Sequence, residues 1–228
     1  MTARVVYVKA EKVLCLVSGG IDSPVACAMA AKRFEVIPLH FCLYPYTCED
    51  SFLVAMNSLK DLKSKIRFEK VVVLPWAKIL MKILGGGDKS YACVECRKGM
   101  FRAAEIICER EGASGIITGE SLGQKASQTL ENMAATSAGI KFPILRPLLS
   151  FDKLEVERLS KKLGLWHDVH AGCCYATPKH PRTRADPKVV DAMLAKLDIG
   201  GMISTELENV LEVRTFAEDF KTYLENLA

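Results

Sequence analysis

The sequence predicts an α/β protein with a doubly wound, mostly parallel sheet and a C-terminal helical extension. Three observations support this fold class. Short apolar segments alternate with longer amphipathic segments along most of the chain, which is the pattern of strands joined by crossover helices. An apolar run at residues 12–17 leads through a Ser-Gly-Gly turn directly into an alanine-rich segment. Half of the 228 residues are hydrophobic, so the chain can form the core of one large domain.

The elements follow from the spacing of apolar residues. Short apolar runs bounded by turn residues predict strands, and longer segments with apolar residues at helical spacing predict helices. The expected strands are at residues 12–17, 35–41, 67–74, 114–118 and 142–145. The expected helices are at residues 23–33, 50–64, 76–84, 98–112, 123–135 and 152–163. A parallel sheet built from these elements would be covered by helices on both faces.

The chain changes character after residue 163. Residues 164–186 lack periodicity and contain two adjacent cysteines, and a loop of this length is typical of a functional or metal-anchored segment. Helical segments are expected beyond it, at residues 189–196, 202–211 and 214–227. We therefore divide the chain into an α/β domain at residues 1–186 and a helical extension at residues 187–228.

Residues 18–23, Ser-Gly-Gly-Ile-Asp-Ser, predict an anion-binding turn. Two consecutive glycines let backbone N–H groups point toward one ligand. We expect Ser23 to cap the following helix and Pro24 to occupy its first position, so that the helix N-terminus adds positive charge. No lysine follows the glycines as in a Walker loop, and no third glycine completes a dinucleotide fingerprint. Phosphate is the anion that this turn predicts.

Three stretches are predicted to meet at one edge of the sheet. The glycine turn, His40 with Phe41, and Gly119 with Glu120 each follow a predicted strand. Ligands of open parallel sheets bind beyond the carboxyl ends of the strands, at the point where the strand order reverses. We therefore expect the binding site there.

The nine cysteines do not indicate a disulfide framework, since no secretory signal precedes them. Cys15, Cys27 and Cys108 lie in apolar segments and are expected in the core. Cys93 and Cys96 form a C-x-x-C pair that suits a redox dithiol, half of a zinc site or part of an iron–sulfur site. A third thiolate would come from the Cys173–Cys174 pair.

The net charge of +4 is mildly basic and compatible with an RNA partner. A cluster of basic residues follows the cysteine pair and would suit an RNA backbone, although a solvated loop explains it equally well. The cluster consists of Lys179, His180, Arg182 and Arg184. No apolar run is long enough to span a bilayer, so we expect a cytoplasmic protein with no membrane partner.

The glycine turn resembles the pyrophosphate loop (PP-loop) of the ATP pyrophosphatases, which cleave ATP between its α and β phosphates. Two further blocks narrow the resemblance to the ThiI family of tRNA 4-thiouridine synthetases. They are residues 118–132, Thr-Gly-Glu-Ser-Leu-Gly-Gln-Lys-Ala-Ser-Gln-Thr-Leu-Glu-Asn, and residues 173–183, Cys-Cys-Tyr-Ala-Thr-Pro-Lys-His-Pro-Arg-Thr. The resemblance implies an adenine nucleotide alpha-hydrolase-like (PP-loop) fold for the domain at residues 1–186.

The resemblance also implies that ATP and Mg²⁺ bind at this turn. In the family the loop holds the departing pyrophosphate, and its aspartate, here Asp22, helps to position magnesium. The positions that match the family's nucleotide contacts are Leu16, Val17, Ser18, Gly19, Gly20, Asp22, Ser23, His40, Phe41, Arg97, Gly119 and Gln128. Taken alone, His40 would be interpreted as a packed strand-end residue and Gln128 as a helix-surface amide.

The implied reaction is ATP-dependent adenylation of a uridine in tRNA, followed by replacement of its carbonyl oxygen with sulfur. In family members with C-x-x-C, and in the related 2-thiouridine synthetases, three cysteines hold an iron–sulfur cluster with one iron open to hydrosulfide. Here the ligands of a [4Fe-4S] or [3Fe-4S] cluster would be Cys93, Cys96 and Cys174, with Cys173 as the alternative third ligand. A persulfide or disulfide mechanism, a structural zinc site and no special role for these cysteines stay open.

The implied partners are tRNA and a separate sulfur donor, and we expect a homodimer. Family members carry an N-terminal RNA-binding portion with a THUMP domain, and some carry a C-terminal rhodanese domain. We expect neither in this sequence, so tRNA recognition would fall to this domain's own surface or to a separate THUMP-type protein. Two alternatives are a PP-loop enzyme that makes 2-thiouridine or thiolates a small molecule, and a non-catalytic subunit that binds the nucleotide or the cluster.

Overall fold

One six-stranded sheet organises the part of the chain that the structure describes. The structure is a computed structural model that describes residues 11–168, 177–216, 219–224 and 227. The strands are β1 (Lys12–Leu16), β2 (Glu35–Cys42), β3 (Val71–Pro75), β4 (Ile116–Ile117), β5 (Ile144–Leu145) and β6 (Leu211–Val213). Their order is β5-β4-β1-β2-β3-β6. Every neighbouring pair is parallel except β3 with β6, which confirms the predicted mostly parallel sheet.

Helices connect the strands and follow them. They are α1 (Asp22–Ala30), α2 (Glu49–Lys65), α3 (Ala77–Gly85), α4 (Ala92–Glu111), α5 (Leu130–Ser137), α6 (Lys153–Leu163), α7 (Pro187–Lys196), α8 (Ile199–Glu206) and α9 (Lys221–Leu224). No helix among these described residues is both long enough and apolar enough to cross a membrane.

Side chains of each strand alternate between two hydrophobic cores. In β1, Val13 and Cys15 belong to one core, and Leu14 and Leu16 belong to the other. Buried residues of α1, α2, α6 and α9 complete the first core, and those of α3, α4, α5, α7 and α8 complete the second. Helices therefore cover both faces, which confirms the doubly wound architecture. The prediction that Cys15, Cys27 and Cys108 are core residues is confirmed, since all three are fully buried.

The strand order reverses beside β1. The chain runs outward from β1 through β2 to β3, then returns to place β4 and β5 on the opposite side of β1. The crevice between the carboxyl ends of β1 and β4 is therefore the topological switch point, where ligands of such sheets bind. The glycine turn leaves β1 at this crevice, and Thr118 and Gly119 leave β4 there.

Helix α4 begins earlier than the sequence indicates. It was expected at residues 98–112, but it starts at Ala92, so Cys93 and Cys96 lie in its first two turns. The start is prepared by Asp88, whose side chain accepts a hydrogen bond from Ser90 N–H at the short 3₁₀ turn Lys89–Tyr91. Such capping supplies an acceptor for an N–H group that has no helical partner. The two cysteines therefore have a rigid support.

Two later segments also differ from expectation. The helix expected at residues 123–135 is a loop with the short 3₁₀ turn Ala126–Gln128, followed by α5. The C-terminal extension was expected to be helical, but residues 211–213 form β6, antiparallel to β3. Lys70 beside this edge contacts Glu111 and Glu212, at 2.9 Å and 2.5 Å. The sheet thus ends in a strand that amphipathic helical patterning did not indicate.

A single buried amide holds the segment that precedes α7. Asn132 Nδ2 donates hydrogen bonds to the carbonyl oxygens of Ala126 and Arg182, at 2.6 Å and 2.7 Å. Asn132 Oδ1 accepts from Ala185 N–H at 2.9 Å. The Asn132 side chain is fully buried, and its bond to Ala185 N–H is buried as well. The segment at residues 182–185 is therefore fastened to α5.

We expect Asn132→Ala to lower the free energy of unfolding by about 2–4 kcal/mol, because it leaves buried backbone groups without partners. Denaturant unfolding measures this change. Asn57→Ala, at an exposed position of α2, is the control and should change the free energy by less than about 0.5 kcal/mol. Equal effects of the two substitutions would contradict this account of Asn132.

Candidate active site

The glycine turn is closed by its own two serines. Ser23 Oγ accepts a hydrogen bond from Ser18 N–H at 2.8 Å and lies 3.0 Å from Ser18 Oγ. Helix α1 begins at Asp22, and its N-cap residue, Ile21, makes no side-chain capping bond. The prediction that Ser23 caps the helix with Pro24 at its first position is therefore wrong, because the Ser23 hydroxyl is used to close the turn. The first N–H groups of α1 have no partner within the helix.

Gly119 lets β4 end directly against this turn. A Cβ atom on Gly119 would lie 2.6 Å from Ser23 N, 2.7 Å from Ser23 Cα and 2.8 Å from Asp22 C. These are backbone atoms of the first turn of α1, so they cannot rotate away. Only glycine permits this approach, which brings the residues after β4 to the same crevice as the glycine turn.

A cavity of about 380 Å³ lies in this crevice. All twelve residues predicted to contact a nucleotide line it: Leu16, Val17, Ser18, Gly19, Gly20, Asp22, Ser23, His40, Phe41, Arg97, Gly119 and Gln128. The structure thus brings these residues together, while their contact with a nucleotide stays a prediction. Glu120, which the sequence analysis expected at this edge of the sheet without a nucleotide contact, also lines the cavity. Sequence reasoning missed the other lining residues, which are Leu43, Thr47, Ser51, Phe52, Met100, Thr118 and Lys125.

Some of the missed residues carried a sequence signal and others did not. Thr118 and Lys125 belong to the block at residues 118–132 that supports the family resemblance. Thr47, Ser51 and Phe52 lie just before or within the first turns of α2, and nothing in their sequence indicates that this helix end faces the crevice. These three residues are identified as cavity residues only by their position in the fold.

His40 presents a hydrogen-bond acceptor to the cavity. Its Nδ1 lies 3.0 Å from the carbonyl oxygen of Val17, which can only accept, so Nδ1 carries the proton and Nε2 has a free lone pair. Burial lowers the pKa of His40 below its usual value, and the bond to Val17 offsets part of that effect. The ring is therefore neutral at pH 7.

Arg97 and Arg146 share one buried carboxylate. Glu120 Oε2 accepts from Arg146 Nε at 2.9 Å, and Glu120 Oε1 lies 3.5 Å from Arg97 Nε. Arg146 Nη2 also donates to Ser137 Oγ at 2.8 Å. Both guanidinium groups lie 6.0 Å from the ring centre of Phe101. The two guanidinium groups and the carboxylate together carry a net charge of +1, and Arg97 of this cluster lines the cavity, where its positive charge suits an anion.

Gln128 carries an unsatisfied polar atom at the cavity. The residue is 6% exposed, and its Oε1 has no hydrogen-bond partner among the described residues. Leaving a buried acceptor unpaired is costly, so a ligand with an N–H or O–H donor would be stabilised there. Together with the positive charge of Arg97, this unpaired oxygen makes the cavity suitable for a ligand that carries both an anionic group and an N–H or O–H donor.

The two cysteines of the C-x-x-C pair share a helix face with cavity residues. Cys93, Cys96, Arg97 and Met100 occur at spacing i, i+3, i+4 and i+7 on α4 and so lie on one side of it. Arg97 and Met100 line the cavity, and Cys93 is about one helical turn away from Arg97, roughly 6 Å along the axis. The two cysteines therefore lie on the helix face that reaches the cavity, although neither of them lines it.

The Cys96 sulfur is linked to the cavity by two aromatic rings. Trp76 Nε1–H donates to Cys96 Sγ at 3.2 Å. The Trp76 ring makes an edge-to-face contact with Phe41, with centroids 4.9 Å apart, and Phe41 lines the cavity.

The third predicted metal ligand is not covered by the structure. Cys173 and Cys174 lie outside the described residues. Within the described part of the chain, no three His, Cys, Asp or Glu side chains are grouped so that they could hold a metal ion. Glu95, which lies between the two cysteines in the sequence, is buried, and burial together with the charge of Asp88 raises the pKa of its carboxyl to about 7.

The basic residues after the cysteine pair are all exposed. Arg182 lies 3.5 Å from Asp88 and stacks over Tyr91 at 4.9 Å, and Arg184 lies 3.4 Å from Glu131. Partial pairing with acids reduces the charge that these arginines offer to an RNA backbone. Their contact with RNA stays a prediction.

We expect Gly119→Ala to weaken ATP binding at least about tenfold, because the added Cβ must push the turn and β4 apart. Isothermal titration calorimetry measures the affinity. Gly200→Ala is the control, since a Cβ on Gly200 of α8 meets no atom within 4 Å, and it should leave the affinity unchanged. An unaltered affinity in Gly119→Ala would show that the close approach does not shape the cavity.

Comparisons with known proteins agree with this geometry. The family model described as thiamine biosynthesis protein (ThiI) matches residues 8–199. The probable tRNA sulfurtransferase of Methanothermobacter thermautotrophicus is 35% identical over 213 residues, which are 90% of this chain and 54% of the relative. That of Methanobrevibacter smithii is 39% identical over 181 residues, 77% of this chain and 47% of the relative. The chain thus spans about half the length of the curated relatives that it matches.

Solved structures show the same fold. A 4-thiouridine synthetase in complex with RNA and with bound ATP matches with a TM-score of 0.79 and 29% identity, covering 89% of this chain and 55% of that chain. The U34-tRNA thiolase NcsA from Methanococcus maripaludis with its [4Fe-4S] cluster matches with a TM-score of 0.50 and 16% identity, covering 95% and 79%. The second likeness shows the fold alone. From the family model and the sequence relatives together, the chain belongs to the ThiI family.

Proposed function

We propose that this chain is the ATP-dependent sulfurtransferase domain of a tRNA-modifying enzyme, and that it makes 4-thiouridine. The observation that carries the proposal is the cavity at the switch point. It gathers all twelve predicted nucleotide residues, among them Gln128 with its unpaired oxygen and Arg97 with its positive charge. The likeness to a 4-thiouridine synthetase with bound ATP and RNA supports the choice of ATP and of tRNA.

In this proposal the glycine turn binds the phosphates. The N–H groups at the start of α1 and the positive end of its dipole face the crevice, and Arg97 adds a charge-assisted contact to phosphate. Asp22, whose carboxylate lies at the turn, would help to hold Mg²⁺, which binds carboxylate and phosphate oxygens. The neutral His40 Nε2 and Gln128 Oε1 would accept hydrogen bonds from the hydroxyl or amino groups of the nucleoside.

The proposed reaction has two bond exchanges. The uracil 4-carbonyl oxygen attacks the α-phosphorus of ATP, a P–O bond forms, and the bond to pyrophosphate breaks. Hydrosulfide then attacks C4, a C–S bond forms, the bond from C4 to the adenylated oxygen breaks, and AMP leaves with the original oxygen. Adenylation thus converts a poor leaving oxygen into a good one. The cationic wall offsets charge on the phosphates during the first exchange, and sulfur is a strong nucleophile near neutral pH.

We propose that Cys93 and Cys96 serve the sulfur step as ligands of an iron–sulfur cluster. Two thiols on one helix face beside the cavity, one of them accepting an N–H bond, fit the donor set of such a cluster. When bound, it would supply Lewis-acidic iron that activates a sulfur donor. The third ligand in this proposal is Cys174, with Cys173 as the alternative.

The acceptor side of the proposal is tRNA. The exposed Lys179 and His180, with Arg182 and Arg184, would contact its phosphates in a salt-sensitive way. Selection of the correct tRNA would need this surface together with a THUMP-type RNA-binding portion. An enzyme of tRNA modification belongs in the cytoplasm, and the proposal places the protein there.

We expect Asp22→Ala to reduce tRNA-dependent pyrophosphate release from ATP at least about 100-fold, since the site loses its magnesium carboxylate. A coupled pyrophosphate assay measures the rate, and mass spectrometry of the tRNA nucleosides identifies the product. Asp61→Ala, at an exposed position of α2, should retain full activity. Formation of 2-thiouridine instead of 4-thiouridine would contradict the proposed acceptor atom, and release of no pyrophosphate by the unaltered protein would contradict the proposed chemistry.

We expect protein purified without oxygen to contain iron and acid-labile sulfide, and Cys93→Ser, Cys96→Ser and Cys174→Ser each to lose both. Elemental analysis and the visible absorption of the cluster measure the content. Cys48→Ser, which changes an exposed cysteine at the start of α2, should keep its iron. Zinc without sulfide would overturn the cluster in favour of a structural zinc site, and neither metal would favour a persulfide mechanism.

A further inference from the structure

Glu120 is a buried carboxylate that the proposed chemistry does not use directly. It is 1% exposed and yet lines the cavity beside Gly119. Its two oxygens face two different arginines, Arg146 at 2.9 Å and Arg97 at 3.5 Å. Of the two arginines, Arg97 lines the cavity. The carboxylate therefore lies between a structural cation and a cation at the ligand.

The two contacts of Glu120 differ in quality. The bond to Arg146 has ordinary hydrogen-bond length, and Arg146 is itself tied to Ser137. Glu120 Oε1 makes no hydrogen bond among the described residues, and its only close cation there is Arg97. Charge-assisted contacts of catalytic groups are often long before the ligand binds and shorten afterwards. Glu120 is thus held by its bond to Arg146, whereas its longer contact with Arg97 can shorten when a ligand binds.

The contact engages Arg97 through Nε. Because the guanidinium group is planar and rigid, fixing Nε also fixes the direction of the two Nη groups. The ring of Phe101 lies beside the same guanidinium, which limits its movement away from the carboxylate. Without Glu120, the long Arg97 side chain, which has several rotatable bonds, would have to be ordered when the ligand binds. This ordering costs conformational entropy.

We propose that Glu120 is a positioning residue that holds the Arg97 guanidinium toward a phosphate group of the bound nucleotide. The proposal rests on the proposed function, because it assumes that the cavity binds ATP. Glu120 acts only through Arg97, so it should affect ligands that carry phosphate and not the nucleoside alone. This separates a positioning role from a general contribution to folding.

The test compares Glu120→Gln, Arg97→Met and the double variant in the full chain. Calorimetry measures the affinity of each for ATP and for adenosine, and thermal unfolding measures stability. We expect Glu120→Gln to weaken ATP binding 10- to 100-fold and to leave adenosine binding within twofold of the unaltered protein. The double variant should bind ATP no more weakly than Arg97→Met alone, since the two residues act as one unit.

Asp191→Asn is the matched control. Asp191 also joins two cations, the buried Lys98 at 2.8 Å and Arg102 at 2.5 Å, but none of these three residues lines the cavity. It should lower the melting temperature and leave ATP affinity unchanged. Glu120→Asp keeps the charge on a shorter side chain; it should lose less ATP affinity than Glu120→Gln, and it replaces that variant if Glu120→Gln does not fold.

The outcomes separate this proposal from the function on which it rests. If the unaltered protein binds neither ATP nor AMP, the proposed function fails and the positioning role fails with it. If the unaltered protein binds ATP and Glu120→Gln binds it equally well, only the positioning role is overturned. Equal losses of ATP and adenosine affinity, or additive losses in the double variant, would assign Glu120 to the fold instead.

Discussion

The close approach of Gly119 to the first turn of α1 is the contact on which the whole crevice depends. It allows β4 to end against the glycine turn with no side chain between them. As a result, the residues that follow β4 become the wall opposite the turn, and the next residue, Glu120, reaches the two arginines. Parallel strands end at one edge of a sheet. The backbone contact between Gly119, which follows β4, and the first turn of α1, which follows β1, therefore decides which side chains can contact a common ligand.

Helix α4 combines the two chemistries of the proposed reaction on one surface. Its first turns carry Cys93 and Cys96, and the next turn carries Arg97 and Met100 at the cavity. A rigid helix fixes the separation between the sulfur chemistry and the phosphate chemistry more closely than a loop can. The activated carbon and the incoming sulfur have to come within bonding distance. A shared helix is an effective way to hold the two sites at a constant separation.

The sequence was a good guide where one local pattern decides the structure. The sheet, the glycine turn and the burial of Cys15, Cys27 and Cys108 follow from apolar patterning and from glycine spacing. It was a poor guide where a group outside the local pattern determines what a residue or a segment does. Ser23 has the residue type of a helix cap, but its hydroxyl bonds to Ser18 instead. The true start of α4 depends on Asp88, several residues before the helix, and β6 forms only because β3 offers it an edge. The cavity residues of α2 could be found only from the fold.

The pairing of β6 with β3 has a consequence for how the protein can be divided. Without residues 211–213, β3 would present a row of unpaired N–H and C=O groups flanked by Val71, Val72 and Val73. An open, apolar edge of this kind recruits strands from other molecules and promotes aggregation. A fragment cut at residue 186 would keep every residue that lines the cavity but would lose solubility. Strand β6 therefore protects the protein from self-association and also completes the sheet.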